Sequence, residues 1–216
     1  ANSRISLSNN DSGGTGGSDS TSGNTLLGWR AGIDIASGGL NNTLFGHASG
    51  FKLTTGGDNT SFGKYAGFGN LTGSSNTFIG SQSGLSDNGS SHSNNTGVGA
   101  SSLYSLTTGT LNVALGTNTL DELTTGGYNT AIGANALHAL DGGETENVAV
   151  GYNAGANADG ATNNICIGSN ALLSTGAGTN QIVIGKDATG VANNSVSLGN
   201  ASVTALYIAK GNDTSQ

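Results

Sequence analysis

The chain has 216 residues and a net charge of −7; Gly supplies 39 of them, only 9% are charged, and Pro and Met are absent. One Cys excludes a disulfide framework within the chain and any cysteine-rich metal site, and the acidic balance leaves no basic stripe for nucleic acid. No apolar run approaches the ~20 residues of a membrane-spanning helix, and no signal peptide is visible, so membrane insertion is not expected.

Residues 1–23 open on Arg4–Ile5–Ser6–Leu7 and then lose apolar content until Leu26. They read as an N-terminal cap or a linker to something upstream, and the missing initiator Met suggests a processed product or a fragment. Residues 24–199 are a repeat domain. Asn-Thr-Leu-Leu-Gly ends at Gly28, and varied copies end at Gly46, Gly63, Gly80, Gly99, Gly116, Gly133, Gly151, Gly168, Gly185 and Gly199. The sequence therefore returns to the same unit at nearly constant intervals, and only the last interval, from Gly185 to Gly199, is clearly short. Self-similarity at so short a period marks a stacked-repeat architecture. A flexible Gly/Ser linker has no reason to space Leu, Ile, Val and Phe this regularly. The expected fold is an all-β parallel β-solenoid, or β-roll, of about eleven 17-residue turns (14–19).

Within one unit the strand period is two, so Thr130 and Ile132 share a face and Ala131 takes the other. The residue before each Gly is never polar: Leu27, Phe45, Phe62, Ile79, Val98, Leu115, Ile132, Val150, Ile167, Ile184 and Leu198. These are expected to stack as the core column. The residue two before each Gly is mixed (Leu26, Leu44, Ser61, Phe78, Gly97, Ala114, Ala131, Ala149, Cys166, Val183, Ser197) and reads as a subunit interface. Each Gly is expected to supply a turn conformation closed to residues with a Cβ. The recurring Asn24, Asn42, Asn59, Asn76, Asn95, Asn112, Asn129, Asn147 and Asn164 can stack their amides in a hydrogen-bonded ladder, or form a row of ligand contacts. Small residues three places after each Gly, such as Ala66, Ala136 and Ala154, suggest close backbone approach.

A single coil of this kind offers few large apolar groups against an ordering cost of about 1–2 kcal/mol per residue. Three coils around one axis would close that deficit, so an obligate homotrimer is expected, with a rod about 50 Å long at the usual strand spacing. The early turns carry most aromatics: Trp29, Phe45, Phe51, Phe62, Tyr65, Phe68 and Phe78. Exposed, they could bind sugars; buried, they widen the core. The longest interval, from Gly80 to Gly99, adds a longer loop at residues 85–94, and residues 141–146 form an acidic turn.

The unit Asn194–Ser195–Val196–Ser197–Leu198–Gly199 resembles the head repeats of trimeric autotransporter adhesins. The longer, commoner form, as in Asn129–Thr130–Ala131–Ile132–Gly133–Ala134–Asn135–Ala136–Leu137, is similar to repeats of bacteriophage tail fibres, particularly marine ones, and runs from about Gly23 to Gly199. The resemblance implies a left-handed, intertwined homotrimeric fibre that attaches a virion to its host. Its implied partners are itself, other tail or fibre proteins and a host cell-surface glycan or protein receptor. The bacterial cell surface is the alternative setting. Residues 200–216 are similar to the exit segment that precedes a self-cleaving intramolecular chaperone in such fibres and tailspikes.

A catalytic constellation is hard to find. Gly-x-Ser-x-Gly and a phosphate-binding loop are absent from the sequence. His47, His92 and His138 lie in different turns and read as solvated loop residues rather than metal ligands. Asp121 with Glu122, or Glu144 with Glu146, could supply a glycosidase pair, but acidic turn residues are the simpler reading. A calcium-binding roll would repeat Gly-Gly-x-Gly-x-Asp, and an ice-binding face would stack Thr-x-Thr; neither pattern recurs. Cys166, on a strand between Ala and Val neighbours, reads as a small packed hydrophobe. The expectation is therefore a structural and adhesive protein, not an enzyme, with no cofactor and no metal.

Overall fold

The structure, a computed structural model, describes residues 22–86 and 89–205. Nearly all of the N-terminal cap or linker, Asp87 and Asn88 of the long loop, and the exit segment from Leu206 onward lie outside the described residues. Eleven strands form one parallel sheet in sequence order. They are β1 (Thr25–Leu27), β2 (Thr43–Phe45), β3 (Thr60–Phe62), β4 (Thr77–Ile79), β5 (Thr96–Val98), β6 (Val113–Leu115), β7 (Thr130–Ile132), β8 (Val148–Val150), β9 (Ile165–Ile167), β10 (Gln181–Ile184) and β11 (Ser195–Leu198). Each strand pairs in register with the next, Thr130 with Val148 and Ile132 with Val150 for example. The chain is thus a β-solenoid of about ten turns, with no helix among the described residues.

Parallel neighbours a single coil apart are possible because the backbone turns back on itself within each repeat. The turn glycine begins that reversal. Gly133 has φ +129° and Gly63 φ +143°, a region essentially closed to side chains. Its N–H still completes the ladder, as Gly133 N donates to Leu115 O at 2.8 Å. Two residues on, and again just before each ladder Asn, the chain enters the left-handed region, and Asn often fills both places: Asn135 and Asn153 at the first, Asn94 and Asn163 at the second. These reversals aim successive amides up and down the rod in turn. Asn135 N donates to Thr117 O of the coil before, and Leu137 N to Ala154 O of the coil after.

The two faces of the strands are opposite to the sequence expectation. The column before the glycines points outward: Leu27, Phe45, Phe62, Ile79, Ile132, Val150, Ile167, Ile184 and Leu198 are 36–51% exposed, and Val98 and Leu115 are half-buried. It does stack, coil on coil, with Phe45 and Phe62 parallel at 4.5 Å. The mixed column is the core instead. Leu44, Ser61, Phe78, Ala114, Ala131, Ala149, Cys166 and Val183 are buried within the single chain, so they do not form a surface between subunits.

The reason is interior width. Opposite the strand lie buried small residues such as Ala66, Ala136, Ala154 and Ala171, and little room is left. Most coils divide that space between two positions, although Ser61 with Gly67 and Ala149 with Gly155 are small at both. Where the strand brings a large group the turn carries Gly: a Cβ on Gly50 would lie 2.6 Å from Leu44 Cδ1, and one on Gly84 would lie 2.6 Å from the Phe78 ring. Where the strand brings Gly97, Ala114 or Ala131, the turn supplies Leu103, Leu120 or Leu137, all buried. The second segment adds Ile35, Leu53, Leu106, Leu123 and Leu140. Burial of Cys166 pushes its thiol up to about 11, as suits a packed hydrophobe.

The asparagines form a continuous buried ladder. Each Oδ1 accepts from the backbone N–H and the side-chain amide of the Asn one coil later; for Asn112 these come from Asn129, both at 3.1 Å. Each Nδ2 also donates to a carbonyl on the far side of its own coil, Asn112 to Gly126 O at 2.9 Å. The ladder runs from Asn24 to Asn164, and Gln181 N closes it on Asn164 Oδ1 at 2.9 Å. With both amide groups spent inside the rod, no atom of this row is presented to a ligand.

Candidate functional site

Two surfaces of the described rod carry more than solvated polar groups. The first is the outward face of the sheet, where the exposed apolar column lies beside a mostly half-buried column of β-branched residues, Thr43, Thr60, Thr77, Thr96 and Thr130 with Val113, Val148, Ile165 and Ile182. No charged residue falls on any of the eleven strands. An exposed apolar column that runs coil after coil along a charge-free face is uncommon on a protein that works alone.

The second is a groove of about 420 Å³ across the first three turns after β1, β2 and β3, lined by Trp29, Arg30, His47, Phe51, Tyr65 and Phe68, with Gln82 and Leu85 at its end. The repeat itself assembles it. Positions one after the Gly stack Trp29 on His47 at 4.7 Å, and positions five after it stack Phe51 on Phe68 at 5.0 Å. Tyr65 joins the two rows edge-on, 5.2 Å from His47 and 5.4 Å from Phe68. The Arg30 guanidinium lies over Trp29 at 5.0 Å and over Phe51 at 4.7 Å. Lys52 lies over Phe51 and Lys64 over Tyr65. Of the expected aromatics only Phe78 is fully buried; Trp29, Phe45 and Phe62 are exposed, and Phe51, Tyr65 and Phe68 are half-buried. Missed at the sequence level were Arg30, Lys52 and Lys64. The signal for them was there: they are three of the chain's six Lys and Arg, gathered in the same coils as the aromatics.

The titratable residues are structural where they are engaged. Asp121 meets His138 Nδ1 at 2.6 Å and Glu122 lies 3.7 Å from its Nε2, so the hydrogen bond to Asp121 raises the His138 pKa. Glu144 is buried, not a free turn carboxylate: its oxygens accept from Gly142 N at 2.9 Å and Gly160 N at 3.2 Å, clamping two coils. Asp141 and Asp159, both exposed, approach it within 4.8 Å.

His92 departs furthest from the expectation of a solvated residue. It is fully buried, edge-on to Phe78 at 5.4 Å, and neither ring nitrogen has a partner among the described residues. It occupies the place that other coils give to Gly73, Gly109 or Gly126, and its carbonyl accepts from Asn76 as theirs do from their own ladder Asn. Burial holds its pKa down at about 4, against an ordinary 6.5. Between those values the unfolded chain binds a proton that the folded chain does not, so stability falls as pH drops from 6.5 to 4. The loss approaches about 3 kcal/mol from this group. Thermal unfolding midpoints of the parent should therefore fall steeply over that interval, and His92→Leu should flatten the profile. His138 acts with the opposite sign, since its protonated form is favoured on folding, but its side chain is 43% exposed and solvent screening keeps the effect small.

No protein-family model, no curated protein and no solved structure matches this chain, so the reading of its function rests on its own residues.

Proposed function

We propose that this chain is a structural and adhesive fibre protein, the shaft or tip of a trimeric phage tail fibre. Three parallel copies meet through the outward sheet faces and hold a host-receptor-binding surface away from the particle. The observation that carries the reading is the uninterrupted apolar column from Leu27 to Leu198, one group per coil, on strands that bear no charge. A second copy has the same repeat, so it can match this column coil for coil along the whole rod. Burial at about 25 cal/mol per Å² then supplies the stabilisation that one thin coil lacks. In this reading the coils wind left-handed, the particle needs no cofactor and catalyses nothing, and the partners are two identical chains, neighbouring tail proteins and a host surface glycan or protein. The closing strands favour one variant. β10 and β11 are longer than the strands before them and follow each other at the shortest interval in the chain, Gln181 lying opposite Ser195. That is the adhesin-head form of the unit, which keeps a bacterial surface adhesin as the second reading.

Native mass by light scattering tests the assembly. Three chains of 21.0 kDa give about 63 kDa for the parent. Ile132→Glu with Ile167→Glu places two carboxylates on the outward face, harmless to a lone coil but buried in a trimer, and should shift the mass to one chain. A monomeric parent, or a double variant that stays trimeric, overturns the proposal.

A further inference from the structure

We infer that the groove beside Trp29 binds a carboxylated saccharide, with Trp29 as the stacking platform and the Arg30 guanidinium as the partner of the sugar carboxylate. Trp29 leaves 61% of its surface open although His47 stacks against it, so the ring is held yet accessible. The C–H groups on one face of a pyranose ring are weakly positive and suit the negative face of an indole. Arg30 is exposed, fixed over two rings, and makes no ion pair among the described residues. Its planar fork of donors is therefore unspent, and its match is a planar oxyanion such as a carboxylate. Lys52 is already shared with Asp34 at 3.3 Å, whereas Lys64 over Tyr65 has no acidic partner among the described residues.

Charge selects between polymeric ligands. A chain of net charge −7 that gathers three of its six cations at one aromatic groove suits a ligand with occasional negative groups. It does not suit the dense phosphate backbone of a nucleic acid, which needs an extended basic track. The volume of about 420 Å³ is that of a small-ligand site, enough for a few sugar units. Because the rings brace one another, little ordering is required on binding. The groove is complete within one chain, so the inference does not depend on the trimer and survives a monomeric mass.

Trp29 is the chain's one tryptophan, which makes its emission a direct reporter. Titration of the intact chain with a galacturonate tetrasaccharide should give a saturable change, and a neutral glucose tetrasaccharide should give none. Arg30→Asn tests the carboxylate contact without disturbing the turn, because the equivalent positions of later coils carry Asn118, Asn135 and Asn153 with the same left-handed backbone. It should weaken binding about tenfold or more, the loss expected of one charged hydrogen-bonding partner. Trp29→Ser, which copies Ser81 and Ser169 at that position, should abolish binding by calorimetry while the unfolding midpoint holds. A silent titration with the acidic sugar, equal binding of the neutral one, or unchanged affinity in either variant overturns the inference.

Discussion

Asn112→Asp should cost the fold about 4 kcal/mol or more at neutral pH, the desolvated charge adding to two lost donors. The substitution keeps size and shape and leaves Oδ1 free to accept from Asn129. What it removes is the amide that donates to Asn95 Oδ1 at 3.1 Å and to Gly126 O at 2.9 Å. The new carboxylate oxygen would face those two acceptors in a site with no solvent access. Two features separate this from generic damage. Protonated aspartate can donate once, and a buried carboxyl pushed above its ordinary pKa stabilises the fold below that value and loses the contribution as pH rises. The deficit relative to the parent should therefore shrink on acidification. Asn163→Asp, one residue before the ladder and exposed like Asp58 at the equivalent place, should move the denaturation midpoint little, within about 0.5 kcal/mol.

Gly133→Ala should be comparably severe, about 3–5 kcal/mol by chemical denaturation, because two independent obstacles meet at one methyl group. At φ +129° an alanine is strained before it touches anything. Its Cβ would also lie 2.6 Å from the Gly151 carbonyl carbon of the next coil, and that glycine is stacked in turn on Gly168. Relief would need the whole column to shift. Gly143→Ala is the matched control: its backbone is not left-handed, and the nearest atom to a new Cβ is Thr125 Oγ1 at 3.4 Å. That change should be close to neutral, or stabilise slightly by restricting the unfolded chain.

The period, the strand at each Asn-x-x-x-Gly unit and the stacking of like on like were legible in the sequence, since each coil repeats the same backbone problem. Which face looks inward was not. Alternation separates Ala131 from Ile132 but carries no direction, and the habit of placing the larger apolar group inside points the wrong way here. The interior is too narrow for a column of Ile and Leu once Ala136 and Leu137 enter from the turn. The compensation between Phe78 and Gly84, or Gly97 and Leu103, was written in the sequence, yet it becomes readable only when both positions are known to share one space. His92 was misjudged for a related reason. Polar residues in a Ser- and Asn-rich loop read as solvated, whereas this one fills the slot that other coils leave to a glycine. The groove at Trp29 was half legible: the aromatics were conspicuous, and the stacking of one coil on the next was needed to bring Arg30, Lys52 and Lys64 among them.

Every strand of the rod pairs only with the strands just before and just after it in sequence, and even the widest interval, Thr77 to Thr96, is a single repeat. Each coil thus finds its template in the segment made just before it. At synthesis rates of about 5–20 residues per second, a new layer becomes available every few seconds at most, and growth can proceed from the first coils toward the last while the rest of the chain is still unmade. Low sequence separation also keeps loop-closure cost small at every step. With Pro absent from the whole sequence, no slow prolyl isomerisation interrupts this addition.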